Sequence, residues 1–166
     1  MSTPKNTTPC QLRHYHPKYA NEIADVFHHA VHAISSEIYS PAQKEAWAET
    51  PPNYLFWKDR LEVKQPTLAI IHGSVAGFIE LEPDGHIDCC YVHPKHQKQG
   101  VAKHLYQRLE AKAESLNLKQ LYVEASIIAL PFFEKQGFKV LRENLVLRKQ
   151  ETLVNYTMEK ILANKS

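Results

Sequence analysis

Cysteine is scarce in this sequence: Cys10, Cys89 and Cys90 are the only three in 166 residues, and two of them are adjacent. Adjacent residues on a strand point to opposite faces. The odd count and that adjacency argue against a disulfide scaffold and fit a reducing compartment. Long apolar runs are missing too. No stretch of about 18 apolar residues is available to span a bilayer, and the leading MSTPKNTTP lacks the apolar core of a signal peptide. Neither sign of charge dominates, with 20 Lys and Arg, 18 Asp and Glu and a formal net charge of +2. A nucleic-acid surface would show denser Lys and Arg interleaved with aromatics. There is no lysine–serine phosphate loop and no Rossmann triple glycine, and no internal repeat or low-complexity tract. These absences predict a cytoplasmic protein with neither membrane nor nucleic acid as a partner.

What is present reads as one domain. Hydrophobic residues make up 43% and charged residues 23%, a globular balance far from disorder. The length suits a single core, with residues 1–9 as a polar lead and 10–166 as the domain. CQLRHY reads as a short strand. Pro17 opens a helix in which Ile23, Phe27, Ala30, Val31 and Ile34 recur at helical spacing. Ser40 and Pro41 start a second helix, and NYLFWKDRLEV forms a third after Pro51-Pro52. Beyond Pro66 the period changes to two. TLAII and SVAGFIEL flank a His72-Gly73 hairpin turn, and HIDCCYV follows a turn at Asp84-Gly85. A helix from Val101 then carries Val101, Leu105 and Leu109 on one face. The strand KQLYVEA, a short helix ending at Gly137 and two closing strands that turn near Gln150 complete the order βααα-βββ-α-β-α-ββ.

Gln97-Lys98-Gln99-Gly100-Val101-Ala102 stands where a strand exit becomes a helix. Gly100 permits positive φ or close approach of a ligand. The first N–H groups of the helix lack internal partners and can hold a phosphate, with Lys98 and Lys103 adding positive charge. The pattern by itself fits a plain helix cap equally well.

The sequence resembles the GCN5-related N-acetyltransferase (GNAT) superfamily over about residues 10–161. The family's cofactor loop, Gln/Arg-x-x-Gly-x-Gly/Ala, is matched by Gln97, Gly100 and Ala102. Its second signature is matched by VEASIIALPFFEKQGF, with Ser126, Ala129, Phe133 and Gly137-Phe138 at the corresponding positions. The resemblance implies an α+β fold, a mixed and mostly antiparallel twisted sheet flanked by helices. It implies acetyl-CoA as co-substrate, with the pyrophosphate on backbone amides of Gln97 to Lys103 (Lys98, Gln99, Gly100, Val101 and Ala102 between them). The pantetheine arm would follow Cys90, Tyr91 and Val92, with Ser126 and Phe133 also against the cofactor. A strand N–H near Val92 would face the thioester carbonyl, direct attack by a small-molecule amine would follow, and no metal is expected. It also leaves open a homodimer through the late strands.

Two features depart from the family pattern or leave choices. Many members protonate the leaving thiolate with a tyrosine where this chain has Phe133, which cannot donate. Tyr156 on the last strand is then a candidate acid, and a catalytically silent acyl-CoA-binding sensor or scaffold is the rival reading. For the base, period-two counting puts His86, Asp88, Cys90 and Val92 on one face. His86 has a suitable reference pKa, and Asp88 in an apolar strand is costly unless paired. Glu80, Glu82 and Glu124 could meet a cationic substrate, as could Glu37, Tyr39 and Trp47. His28 and His32 lie one helical turn apart, but no third metal ligand is in register with them.

Overall fold

In the computed structural model residues 10–162 are described; the polar lead, residues 1–9, lies outside the described residues. A short strand, β1 (Gln11–His14), comes first. Pro17 then opens a 3-10 turn that runs into α1 (Ala20–His32), which buries Ile23, Ala24, Val26, Ala30 and Val31. α2 (Pro41–Trp47) starts with a reciprocal cap. The Ser40 hydroxyl accepts from the Gln43 N–H, and the Gln43 side chain accepts from the Ser40 N–H. The buried Lys44 ammonium donates to the carbonyls of His32 and Ile34, satisfying the end of α1 and tying α2 to it. α3 (Tyr54–Lys64) is capped by Asn53.

The strands form where the period-two pattern places them. β2 (Thr67–Ile71) and β3 (Ser74–Leu81) are joined by His72 and Gly73, both at positive φ, as a two-residue hairpin turn requires. β4 (His86–Val92), α4 (Val101–Ser115), β5 (Gln120–Ser126) and α5 (Leu130–Lys135) follow. β6 (Lys139–Arg148) and β7 (Glu151–Ile161) close on a turn at Lys149 and Gln150, again both at positive φ. The sheet order is β1-β2-β3-β4-β5-β7-β6. Neighbours are antiparallel except β4 and β5, which are parallel across the α4 crossover. This is the expected α+β class, a mostly antiparallel sheet with helices on both faces.

Each face has its own core. Ile79, Ile87, Val101, Leu105, Leu109, Phe133 and Met158 pack under α4 and α5. Ile23, Trp57, Leu61, Leu68, Phe78 and Cys89 pack under α1 and α3. Of the aromatics in α3, only Trp57 joins a core; Tyr54 and Phe56 are exposed. β6 is the sheet edge on the side of the late strands, and Leu145 and Leu147 on it are exposed. No helix among the described residues is long and apolar enough to cross a membrane.

Gly77 sets how closely α4 lies on the sheet. A Cβ there would stand 2.8 Å from the Tyr91 carbonyl oxygen and 3.3 Å from side-chain atoms of both Leu105 and Val101. Gly77→Ala should therefore lower stability by about 1–3 kcal/mol, the usual range for overpacking, read as the urea midpoint. An unchanged midpoint would show that α4 does not depend on this close approach.

Candidate active site

β4 and β5 are paired only at His86–Tyr122 and Ile87–Val123. Past that point β5 stays on β7 as far as Ser126–Asn155, while β4 stays on β3 as far as Val92–Gly77. The strands part into a wedge. The His93 N–H donates to the Ala76 carbonyl at 2.7 Å, so by alternation the Tyr91 peptide also faces β3. The peptide groups of Cys90 and Val92 consequently face the wedge, where no strand lies opposite. On that side the Val92 carbonyl accepts from Gln97 Nε2 at 3.2 Å.

A bulge accompanies the parting. Ile79 is opposite Cys90 but Leu81 is opposite Ile87, so Asp88 and Cys89 together face Glu80. One added residue reverses the alternation. Ile87, Cys90 and Val92 pack on the α4 side, Cys89 and Tyr91 on the α1 side, and Asp88 turns to α3. The expectation that His86, Asp88, Cys90 and Val92 share one face fails for this reason.

At the start of α4, Gly100 is left-handed at φ 80° and no side chain caps the helix. Lys98 is also at positive φ. The first intrahelical bond runs from the His104 N–H to the Gly100 carbonyl, so the N–H groups of Val101, Ala102 and Lys103 have no helical acceptor. The first turn holds no acidic residue. A Cβ on Gly100 would meet nothing within 4 Å, so the space above it is open.

Three cavities adjoin along β4. Asp88 and Tyr91 line all of them, together with Trp47. The first, about 290 Å³, lies between β4 and β5 against Cys90, Val92, Gln97, Ser126 and Phe133. The second, about 530 Å³, extends over β7 and β6 past His86, Glu124, Arg142 and Arg148. The third, about 320 Å³, lies beneath α3. Lys98 to Lys103 form the loop and first helical turn outside the first cavity. Tyr156 lines none of the three: its β7 neighbours Asn155 and Thr157 face the second cavity, and Tyr156 packs on the α4 side.

A family model for the acetyltransferase (GNAT) domain matches residues 35–160. The chain belongs to the GNAT superfamily. It is 35% identical over 148 residues to the uncharacterized N-acetyltransferase YafP of Escherichia coli K12, covering 89% of this chain and 93% of that protein. A crystal structure of a GCN5-related N-acetyltransferase from Rhodopseudomonas palustris, also named aminotransferase class-II, superposes with a TM-score of 0.89 at 32% identity. That match covers 96% of this chain and all of the other. The PaiA N-acetyltransferase of Thermoplasma acidophilum in complex with coenzyme A shares the fold. Its TM-score is 0.74 at 17% identity, covering 93% of this chain and 99% of that one.

Within this GNAT domain the expected bases are already engaged. Arg60 on α3 holds the fully buried Glu80 through both carboxylate oxygens and reaches Asp88 at 2.9 Å and Cys89 Sγ at 3.3 Å. Glu80 is thus an internal ion-pair partner and meets no substrate. Lys64 bridges Asp88 at 2.8 Å and Glu82 at 3.1 Å. Burial would raise the Asp88 carboxyl, but the Lys64 hydrogen bond and the charges of Arg60, Lys64 and His86 outweigh it and hold the pKa below the ordinary value. His86 lies between two acids, Nδ1 on Glu82 at 2.6 Å and Nε2 on Glu124 at 2.5 Å, and stacks on Tyr122. Burial would lower the imidazole, but those carboxylates raise it above its ordinary value. Both imidazole nitrogens of His86 already face carboxylates, and Asp88 Oδ2 receives both Arg60 and Lys64, so neither side chain is free for an incoming amine.

Arg60 and Lys64 were not among the residues to which the sequence pointed. The available signal was a basic residue inside the buried stripe Trp57–Leu61. Tyr39 proves to be a fastener, its hydroxyl donating to the Val154 carbonyl and accepting from the Ile127 N–H. Burial pushes the Cys89 thiol well above its ordinary pKa and Cys90 up to about 12, against a thiol nucleophile. A third group does join His28 and His32: Glu45 from α2 lies within 4.8 Å of them, contrary to the sequence expectation. Those side chains already bond to Thr50 and the Ala48 carbonyl.

The His86 cluster predicts a pH dependence of stability. The raised imidazole contributes fully below about pH 6.5 and loses that contribution as pH rises through its folded pKa. Glu82, lowered first by its hydrogen bond from His86, contributes above its ordinary pKa and is lost on acidification. Denaturation midpoints measured across pH should fall more steeply above pH 6.5 for wild type than for His86→Gln. Parallel profiles would contradict the assignment.

Proposed function

We propose that this protein transfers the acetyl group of acetyl-CoA to the primary amine of a small molecule, by direct attack within a ternary complex. The carrying observation is the peptide edge of Cys90 and Val92, which no strand covers among the described residues and which leads out of the wedge to the uncapped start of α4. The pantetheine amides can add to that edge as a strand would. The pyrophosphate then lies on the amides of residues 98–103, helped by Lys98 and Lys103. The Val92 N–H supplies oxyanion stabilisation at the thioester carbonyl.

The acceptor enters through the second cavity. Asp88 takes two cations, Arg60 and Lys64, whereas Glu124 meets His86 through one oxygen and keeps the other, so Glu124 is the carboxylate best placed to take the amine proton. It lines both the cofactor cavity and the acceptor cavity and is 43% exposed at the side chain. His86 is then a positioning residue that holds one Glu124 oxygen. The amine nitrogen bonds to the thioester carbon, the carbon–sulfur bond breaks, and the thiolate takes a proton from water in the open cleft. Phe133 is buried among Tyr106, Phe132 and Phe138 and has no proton to give. Positioning of the two reactants supplies much of the rate in such a scheme, and the reaction as written requires no metal.

Gly100→Asp tests the phosphate site. The new carboxylate enters open space but puts an anion at the nest and a side chain at positive φ. Calorimetry should show acetyl-CoA binding by wild type and a weakening of about 100-fold or more in the variant, the size expected when a charge-assisted hydrogen bond gives way to a repulsion. Thiol release over an amine panel should appear only with wild type. A folded wild type that binds no acyl-CoA overturns the proposal. Tight binding with no turnover on any amine instead supports a silent acyl-CoA sensor.

A further inference from the structure

The second cavity carries opposite charges on one cross-strand row. Glu124 on β5 is opposite Thr157 on β7, and Thr157 is opposite Arg142 on β6. The next row repeats the arrangement with neutral polar groups, Ser126–Asn155–Asn144. All six residues line the cavity. Neighbouring strands are about 4.8 Å apart, so the Glu124 and Arg142 backbones stand about 10 Å from each other.

The floor between the charges is polar and held in place. Asn144 Nδ2 donates to Thr157 Oγ1 at 2.8 Å and to Asn155 Oδ1 at 3.0 Å. The acidic end lies beside the cofactor cavity, where Glu124 and Asp88 line both spaces. The far end carries Arg142 and Arg148. Among the described residues no carboxylate lies within ion-pairing distance of either arginine. A guanidinium facing a cavity without an internal acid is suited to a planar or tetrahedral anion. A diamine or polyamine would bring a second cation against those arginines.

Resting on the transferase reading above, we infer that the acceptor is a small zwitterion, a primary amine with a carboxylate or phosphonate a few bonds away. Its ammonium end lies toward Glu124 and its anion on Arg142, and the acceptor spans the Thr157 floor. Arg142 is thus a specificity-determining residue at the end of the cavity away from the thioester.

Thiol release from acetyl-CoA is measured on matched pairs: amino acids against their amides, aminoalkylphosphonates against the parent alkylamines, and short diamines. The carboxylate and phosphonate arms identify the anion. At least one acid should exceed its uncharged partner by about tenfold or more in kcat/KM, the worth of one charged hydrogen bond. Arg142→Gln should raise KM for that acid by about tenfold and narrow the ratio within the pair, Arg142→Lys should recover part of it, and acetyl-CoA affinity by calorimetry should persist in both. Thermal shifts with the same compounds in the presence of coenzyme A read binding where turnover is too slow to see. Preference for amides, alkylamines or diamines overturns the inference, as does an unchanged pair ratio in Arg142→Gln. So does a protein that binds acetyl-CoA yet shows neither turnover nor a thermal shift with any zwitterion. Failure to bind acetyl-CoA would instead overturn the transferase reading.

Discussion

Two parallel strands that separate after Ile87–Val123 leave peptide groups in the middle of a sheet with no strand opposite them, where a sheet backbone otherwise finds its partners. An unpaired peptide costs free energy unless water or a ligand completes it, so the parting must be maintained by other interactions. β4 is held to β3 while its bulge bends it away at Asp88 and Cys89. β5 is held to β7 through Ser126, and the Tyr39 hydroxyl ties the Ile127 amide to the Val154 carbonyl just beyond. Gly77 lets α4 come down on the sheet beside this gap, which brings the uncapped amides of Val101 to Lys103 close to the open edge of β4.

The charges around the wedge are organised from beneath it. Arg60 is mostly buried and satisfies Glu80, which is fully buried, with two hydrogen bonds. A buried pair of this kind adds little net stability, but removing one partner is costly because the other is left as an unpaired charge. Arg60 is therefore fixed, and with Lys64 it fixes Asp88. Asp88 and His86, both reasonable bases when read from a strand pattern, become structural charges in this network. Glu124 is left at the junction of the two cavities with His86 on one oxygen. The same arrangement makes the β5 end of the second cavity acidic and its β6 end basic.

Much of this was legible along the chain because it depends on local chemistry. The His72-Gly73 turn, the Ser40 cap, the apolar stripe of Val101, Leu105 and Leu109 and the left-handed Gly100 are each determined by residues close together in the chain. The turn into α4 was legible for that reason, along with its spacing from α5. What was not legible depends on register between distant segments. The bulge that turns Asp88 away from Cys90 follows from how β4 meets β3, and no property of HIDCCYV marks it. Arg60 meets Glu80 and Asp88 only once α3 lies on the sheet. The row Glu124–Thr157–Arg142 exists only because β7 inserts between β5 and β6. The same insertion directs Thr157 into the second cavity and Tyr156 away from it.

Whether the open edge of β4 receives the cofactor can be read from amide hydrogen exchange resolved by residue. In the free protein the Cys90 and Val92 amides should exchange readily, while Tyr91 and His93, which face β3, are protected. Saturating acetyl-CoA should slow exchange at Val92 and Cys90 and at Val101 to Lys103, with Tyr91 and His93 unchanged. Binding that leaves Cys90 and Val92 exchanging as before would place the cofactor away from β4.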